Sequence, residues 1–224
     1  AEGGSSPALR ESLQYTFFHW GLHPWAIYTL FGLALAYYHF RFKLPLAPRS
    51  MLYPLIGKKI FGWIGHLVDI LATVGTLLGV ATSLGLGAMQ INAGISFMSE
   101  VGQSTQVQVM LIAGITLVAT ASVVLGLDKG ISRLSRFNVL LALLFMLFLF
   151  FAGPTVYVLN TFITGLGSYL QNLPFMSLWI SSGEGSGWQA DWTLFYWAWW
   201  ISWSPFVGVF VARISRGRTL KEFI

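Results

Sequence analysis

The chain has 224 residues, 55% of them apolar, 16% aromatic and only 9% charged, with a mean hydropathy of +0.68. A soluble domain carries about 25% charged residues, so this composition describes a polytopic membrane protein. The net charge of +5 does not mark a nucleic-acid surface, because the basic residues form three clusters between apolar spans, and the lack of cysteine excludes disulfide and thiolate chemistry.

Residues 1–14 are small and polar at their start and read as an external loop remnant. No charged region precedes the first apolar span, so it does not read as a signal peptide. The chain is expected to be an internal piece of a longer protein. A spanning helix needs about 20 apolar residues, and the first is expected over about 15–39. It opens on an aromatic group, Phe17-Phe18-His19-Trp20-Gly21-Leu22-His23-Pro24-Trp25-Ala26-Ile27-Tyr28, which Gly21 and Pro24 loosen. Trp25 and Tyr28 are helical neighbours three apart. An interfacial aromatic belt and a ligand box both account for this segment.

The second span is expected over about 60–98, with a glycine-rich interruption at Gly85-Leu86-Gly87. Asp69, Thr73, Thr76 and Ser83 lie within roughly 80° of one another around this helix. A polar stripe at membrane depth faces either a cation path or another helix through hydroxyl hydrogen bonds. Asp69 is the one acid placed inside a span. It is either a proton carrier or one half of an ion pair with nearby Lys58 and Lys59 at the helix end. The third and fourth spans are expected over about 108–127 and about 137–159. The stretch of about 162–180 mixes Phe162, Leu166, Tyr169, Leu170, Leu173 and Phe175 with small polar residues and reads as an amphipathic helix in the membrane interface. A Gly/Ser loop follows over 181–187.

The fifth span, about 192–211, carries Trp192, Trp197, Trp199, Trp200 and Trp203, half of the chain's ten tryptophans. Trp192, Tyr196, Trp199, Trp200 and Trp203 fall within roughly a 100° arc, and Trp197 points away. Trp203 lies three turns in from Trp192, so the series runs from the surface toward the bilayer middle. Indole faces carry negative quadrupole density and no titratable group, which suits a permanent cation without N–H groups, such as a quaternary ammonium.

All but Arg10 of the thirteen Lys and Arg residues follow spans one, three and five, whereas the opposite loops carry Glu100, Glu184 and Asp191. The positive-inside rule makes the basic loops cytoplasmic. Spans one and five then enter from outside, and further helices are expected upstream. His19 and His23, four apart, have a spacing that can hold one metal. A third ligand and an acidic partner are missing from the motif, so a membrane metallohydrolase is a weaker reading. A channel is another, but bulky indoles obstruct a pore, and channels favour rings of carbonyls or charges.

These motifs resemble the betaine/choline/carnitine transporter family. The segment Phe18 to Tyr28 is similar to its fourth helix. Thr82-Ser83-Leu84-Gly85-Leu86-Gly87-Ala88 is similar to its fifth. Trp192-Thr193 through Trp203-Ser204-Pro205-Phe206 is similar to its eighth, followed by the basic loop Arg213-Ile214-Ser215-Arg216-Gly217-Arg218. The resemblance implies an all-α integral membrane fold: five transmembrane helices plus an amphipathic surface helix, part of an inverted-repeat, LeuT-like transporter. The chain would hold helices four to eight, and as a fragment it would not complete alternating access, which needs both repeats. It implies a plasma-membrane, multi-pass secondary transporter, not an enzyme, taking glycine betaine, choline or carnitine without a cofactor or bound metal, embedded in membrane lipid and homotrimeric when full length. The matching substrate-binding positions are Trp20, Trp25, Tyr28, Trp199, Trp200 and Trp203, with Phe195 at the outer gate. The matching ion-coupling positions are Thr76 and Phe206, with Ser83 and Asp69 on the same polar stripe. A threonine of sodium-coupled members is replaced here by Val80, which removes a hydroxyl ligand. Proton coupling and ion-independent exchange therefore stand beside sodium as coupling modes.

Overall fold

The computed structural model describes residues 5–126, 130–181 and 187–223, and the regular elements among them are all helices. Residues 6–14, expected within an external loop remnant, are helical: α1 spans Ser6–Trp20, opened by the Ser5 hydroxyl, which accepts from the Ala8 N–H. Such a cap satisfies one of the donors that every helix start leaves unpaired. The chain breaks at Gly21, and α2 runs over Leu22–Phe42. A Cβ on Gly21 would stand 2.4 Å from the Phe17 carbonyl oxygen, so only glycine fits this corner. Lys43, in the left-handed region at φ 58°, ends α2. Short turns follow: 3₁₀ segments Pro48–Leu52 and Gly57–Phe61 around α3, Tyr53–Ile56.

The second apolar stretch forms one unbroken helix, α4, Trp63–Met98. The glycine-rich interruption expected at 85–87 is absent: isolated glycines lower helix propensity by only about 1 kcal/mol each, and the surrounding residues carry the helix through. Next come α5, Thr105–Val124, and α6, Ser132–Ala152, and then α7, Thr155–Leu178. The last span begins as a π-helical segment, Gln189–Leu194, and continues as α8, Phe195–Ile214. A four-residue α9, Leu220–Phe223, follows. Its start is fixed by a reciprocal cap: Glu222 Oε2 accepts from the Thr219 N–H at 2.8 Å, and the Glu222 N–H donates to Thr219 Oγ1.

Among the described residues four helices are long and apolar enough to cross a membrane: Trp63–Met98, Thr105–Val124, Ser132–Ala152 and Gln189–Ile214. The span expected at 15–39 is divided at Gly21 and is not one of these four. Its second part, α2, is diluted by His23, Trp25, Tyr28, Tyr37, Tyr38, His39 and Arg41.

The contacts divide the chain into two compact units, 1–81 with 165–224, and 82–164. In the second unit, buried Asn92 on α4 bonds the following loop, donating to the Gly102 carbonyl at 3.3 Å and accepting from the Ser104 N–H at 3.1 Å. In the first unit, α2 and α8 pack side by side. Gly32 sits against Val211 and Gly208, and Leu35 and Ala36 pack on Ala212, so the two helices run parallel. The N-terminal half of α4 crosses α8 the other way, with Gly79 against Ser202 and Trp203. Small residues allow this close approach where no hydrophobic effect drives helices together. Pro205 has no N–H for the Ile201 carbonyl, and the neighbouring Ser204 hydroxyl supplies that bond at 2.7 Å.

The described part of α7 in this unit, the helix expected in the interface, is not free on its apolar face. Gly165 lies on Leu13 and Phe17, and Tyr169 and Met176 are buried with Phe18. The Tyr169 hydroxyl accepts from the Leu22 N–H at 3.3 Å, a donor orphaned by the break at Gly21. Burial raises the Tyr169 phenol above its ordinary value, so the hydroxyl stays protonated. Leu170 and Phe175 face outward.

The corner at Gly21 is the tightest backbone constraint near the aromatic region. Gly21→Ala in the full-length protein is expected to lower stability by about 1–3 kcal/mol, read as a lower midpoint in a heat-treatment and gel-filtration assay. Gly75→Ala, where the new methyl would meet only Ser202 Cα at 3.9 Å, is expected to leave that midpoint within error. Equal midpoints for the two variants would contradict the close approach.

Candidate functional site

The break between α1 and α2 and the start of α8 bring two aromatic segments together. Trp188, Trp192, Tyr196 and Trp200 recur every four residues and form a ladder of near-parallel rings, with centroids 6.5, 6.3 and 6.0 Å apart. Trp199 stacks on Trp200 at 4.8 Å and 11°. Trp20, from the last residue of α1, meets Trp200 edge-on at 4.8 Å, Trp199 at 6.0 Å and Tyr196 at 5.8 Å. Tyr28, two turns into α2, is edge-on to Trp200 at 6.4 Å and to Trp25 at 6.3 Å. Offset and edge-to-face contacts of this kind add about 0.5–1.5 kcal/mol each beyond area burial.

The expected substrate positions are thus mostly gathered. Trp20, Tyr28, Trp199 and Trp200 form one cluster, and Phe195 joins it against Tyr196 at 5.6 Å and Trp199 at 5.8 Å. Trp25 reaches the cluster through Tyr28 and is largely exposed. Trp203 lies farther along α8, packed against Phe206 at 5.6 Å and close beside Gly79 of α4. Trp197 points elsewhere, as its angle predicts, onto Phe18 and His23 at 5.1 and 5.3 Å.

One hydrogen bond fixes the centre of this cluster. The buried Trp200 indole N–H donates to the His19 carbonyl at 2.7 Å. That carbonyl belongs to the last turn of α1, where the break removes its helical donor. The His19 ring is itself buried, stacked on Tyr196 at 4.7 Å, with Nε2 3.1 Å from the hydroxyl of buried Thr193. His23 Nε2 faces a different hydroxyl, that of Ser177, at 2.9 Å. The two imidazoles, considered as a metal pair from their spacing, therefore address separate partners on α7 and on the π segment.

Sequence reasoning placed Tyr196 on the aromatic arc and weighed His19 only as a metal ligand, and it did not single out Thr193 or Trp188 as site residues. The four-residue recurrence from Trp188 to Trp200 was the available signal. Tyr15, His19, Trp20, Trp188, Trp192 and Tyr196 also border a cleft of about 510 Å³ that Glu11 reaches.

The ion-coupling positions are distributed. Thr76 Oγ1 donates to the Ala72 carbonyl at 2.9 Å and the Ser202 carbonyl at 3.3 Å, bridging α4 to α8. Thr76, Thr73 and Phe206 line a second cleft, of about 450 Å³, between these helices. Ser83 lies in the second unit. Asp69 is paired, but with Arg49 and not with Lys58 or Lys59: Arg49 donates from Nε to Oδ2 at 2.6 Å and from its backbone N–H to Oδ1 at 2.9 Å. Both carboxylate oxygens are engaged, an arrangement that anchors the 44–62 connection to the base of α4 and favours the ion-pair reading. Arg49 lies nearer in the fold than in the sequence, which is why spacing alone pointed to the lysines.

The family described as BCCT, betaine/carnitine/choline family transporter, matches residues 1–224. The chain belongs to this family of transporters. It is 50% identical over 217 residues to a glycine betaine transporter of Acinetobacter baylyi, covering 97% of this chain and 33% of that protein. It is 48% identical over 219 residues to a glycine betaine transporter of Bacillus subtilis, covering 97% of this chain and 43% of that protein. It is 46% identical over 225 residues to the high-affinity choline transport protein of Escherichia coli, covering 99% of this chain and 33% of that protein. The BCCT chain thus spans about a third to two-fifths of the length of the curated relatives it matches.

Proposed function

We propose that the full-length protein is a secondary active transporter of a trimethylammonium solute, glycine betaine or choline, and that the aromatic cluster of α1, α2 and α8 binds the cation. The observation that carries this reading is the convergence of Trp20, Tyr28, Trp199 and Trp200 at one place, with Trp25 beside them. Each desolvated cation–π contact supplies about 2 kcal/mol, and two or three of them support micromolar to millimolar affinity after the costs of association. Trp199 and Trp200 stack too closely at 4.8 Å to admit a cation between them, so the ligand is proposed to meet the outward faces of the cluster. Phe195, in contact with Tyr196 and Trp199, is proposed as a gate residue. The names of the relatives, glycine betaine and choline transporters among them, favour these two solutes.

The remaining assignments extend the same reading. The five-span count, with the divided α1–α2 as the first span, and the inverted-repeat, LeuT-like fold are proposed for the intact transporter. Thr76 and Phe206 line one cleft at the α4–α8 crossing and are proposed to flank a coupling-cation path. Val80 stands where a hydroxyl would complete a sodium site, so exchange without ion coupling is the second reading. Asp69 as a proton carrier is weakened by its pairing with Arg49.

Trp200→Leu is expected to weaken trimethylammonium binding to the full-length protein about 5- to 30-fold, or ~1–2 kcal/mol. Trp200→Phe keeps a π face while removing the N–H that holds His19, and separates the two roles of this residue. Trp197→Leu should change stability and leave affinity within about twofold, since it removes no box contact. A neutral tert-butyl analogue should bind poorly to the unmutated protein, in a competition assay with radiolabelled solute. Equal binding of the analogue would mean that the pocket reads only size and apolarity.

Topology offers a second test. The 41–59, 128–136 and 213–222 loops are proposed to be cytoplasmic, and 99–107 and 160–191 external. Gln103→Cys and Ser186→Cys should label from outside and Arg133→Cys should not; the reverse pattern would overturn the orientation. Ser186, Glu184 and Lys129 of these loops lie outside the described residues.

A homotrimer is proposed for the intact transporter, with the outward face of α7 contributing. Leu170 is 52% exposed while Tyr169 beside it is buried. Leu170→Glu should therefore shift the assembly toward monomer in crosslinking and gel filtration without disturbing solute binding. Persistent trimers in this variant and in Phe175→Glu would remove α7 from the interface.

A further inference from the structure

The last carbonyls of a helix have no partner within it, and those at the end of α1 meet different fates. The Phe17 carbonyl accepts from the Gly21 N–H at 2.8 Å. The Phe18 carbonyl loses its helical donor, the Leu22 N–H, which donates to the Tyr169 hydroxyl. The His19 carbonyl is taken by the Trp200 indole at 2.7 Å. The helical donor of the Trp20 carbonyl would come from residue 24, and Pro24 has no N–H. No hydrogen-bonded turn spans Gly21, so the Phe18 and Trp20 carbonyls receive no local backbone donor. The facing start of α2 offsets them only in part. Of its first three residues, Leu22 has its N–H covered by Tyr169 and Pro24 has none to offer.

We propose that this donor-poor end of α1, with the Trp20 carbonyl at its pole, is a negative wall of the solute site that draws in the trimethylammonium group and turns the solute's carboxylate or hydroxyl end away. The proposal rests on the reading that the aromatic cluster binds such a solute. A helix C-terminus carries about half a negative charge, concentrated in its last turn. That turn lies in the cluster: the Trp20 ring meets Trp200 at 4.8 Å and Trp199 at 6.0 Å, and the His19 carbonyl touches the Trp200 rim. Interrupted helices at membrane depth present carbonyl ends to cations in this way. A carbonyl suits a quaternary ammonium because it needs no N–H from its ligand and accepts weak contacts from the polarised methyl groups. The same end repels a carboxylate, so a zwitterionic solute is oriented by it. Pro24 and Tyr169 are then positioning residues. Neither belongs to the ring cluster, and both keep backbone donors from cancelling the carbonyls.

The test compares charge with shape in the purified full-length transporter. Binding of glycine betaine and of choline would be measured, each beside the isostere that carries tert-butyl in place of trimethylammonium. Tyr169→Phe uncovers the Leu22 N–H while keeping the ring, and Pro24→Ala supplies an N–H at the break. Each is expected to weaken trimethylammonium binding about 3- to 10-fold and to leave the isostere within about twofold. Tyr37→Phe, on the far part of α2, should change neither. Loss of packing alone would weaken solute and isostere together, so an equal loss for both overturns the proposal. Unchanged solute binding in Tyr169→Phe also overturns it, and this variant carries the test where Pro24→Ala does not fold. In both of those outcomes the unmutated protein still prefers the trimethylammonium compound, and the aromatic site stands. If the unmutated protein binds solute and isostere equally, the cation site itself fails and this wall with it.

Discussion

The break at Gly21 is the constraint on which the rest of the first unit depends. A helix interrupted within an apolar region leaves carbonyls and N–H groups that water does not reach, and each costs several kcal/mol unless something in the protein answers it. Two side chains answer it here from two other helices. Trp200 of α8 donates to the His19 carbonyl on one side of the break, and Tyr169 of α7 accepts from the Leu22 N–H on the other. Three helices are thereby pinned to one corner, and Gly21 is the residue small enough to let the chain turn there.

The same pinning organises the aromatic cluster. Because Trp200 spends its one donor on the corner, its ring plane is fixed, and Trp199, Trp20, Tyr196 and Tyr28 arrange around it. Holding rings in place before a ligand arrives spares binding the entropy of ordering them. The His19 ring extends the arrangement to the π segment through Thr193. π-helical turns inside α-helices are frequent at functional sites, and this one lies where the ladder from Trp188 to Trp200 enters the aromatic cluster.

Much of this was legible in the residues. The Trp192 to Trp203 arc, the divergent direction of Trp197 and the loosening at Gly21 all follow from helical angles and glycine chemistry. The break was legible; its repair was not, because Tyr169 and Trp200 stand 147 and 181 residues from the groups they satisfy. Span ends were displaced for a related reason. Hydropathy marks where apolar side chains stop, whereas caps and packing decide where helices stop, so α1 reaches back to a Ser5 cap through polar residues. Gly85 and Gly87 were read as an interruption because propensity is local, yet α4 passes through them. Asp69 shows the same limit from the charge side: its partner is twenty residues away, brought there by a turn that composition does not reveal.

Trp200 thus joins the structural role it has in the corner to the binding role proposed for it, and the demands of the two differ. The hydrogen bond to His19 is a property of the indole edge, whereas cation recognition is a property of the indole face. A tyrosine or phenylalanine in its place would offer a face without that edge, and the loss would appear as an unpaired buried carbonyl costing about 1–3 kcal/mol. Tryptophan meets both demands with one side chain. It carries a large quadrupole on its faces and a single rigid donor at its rim, and it has no titratable group to make the arrangement depend on pH. On this reasoning the concentration of tryptophan in α8 would answer more than the proposed affinity for a cation. At the centre of the cluster, the ring that would bind is also the ring that closes the broken helix.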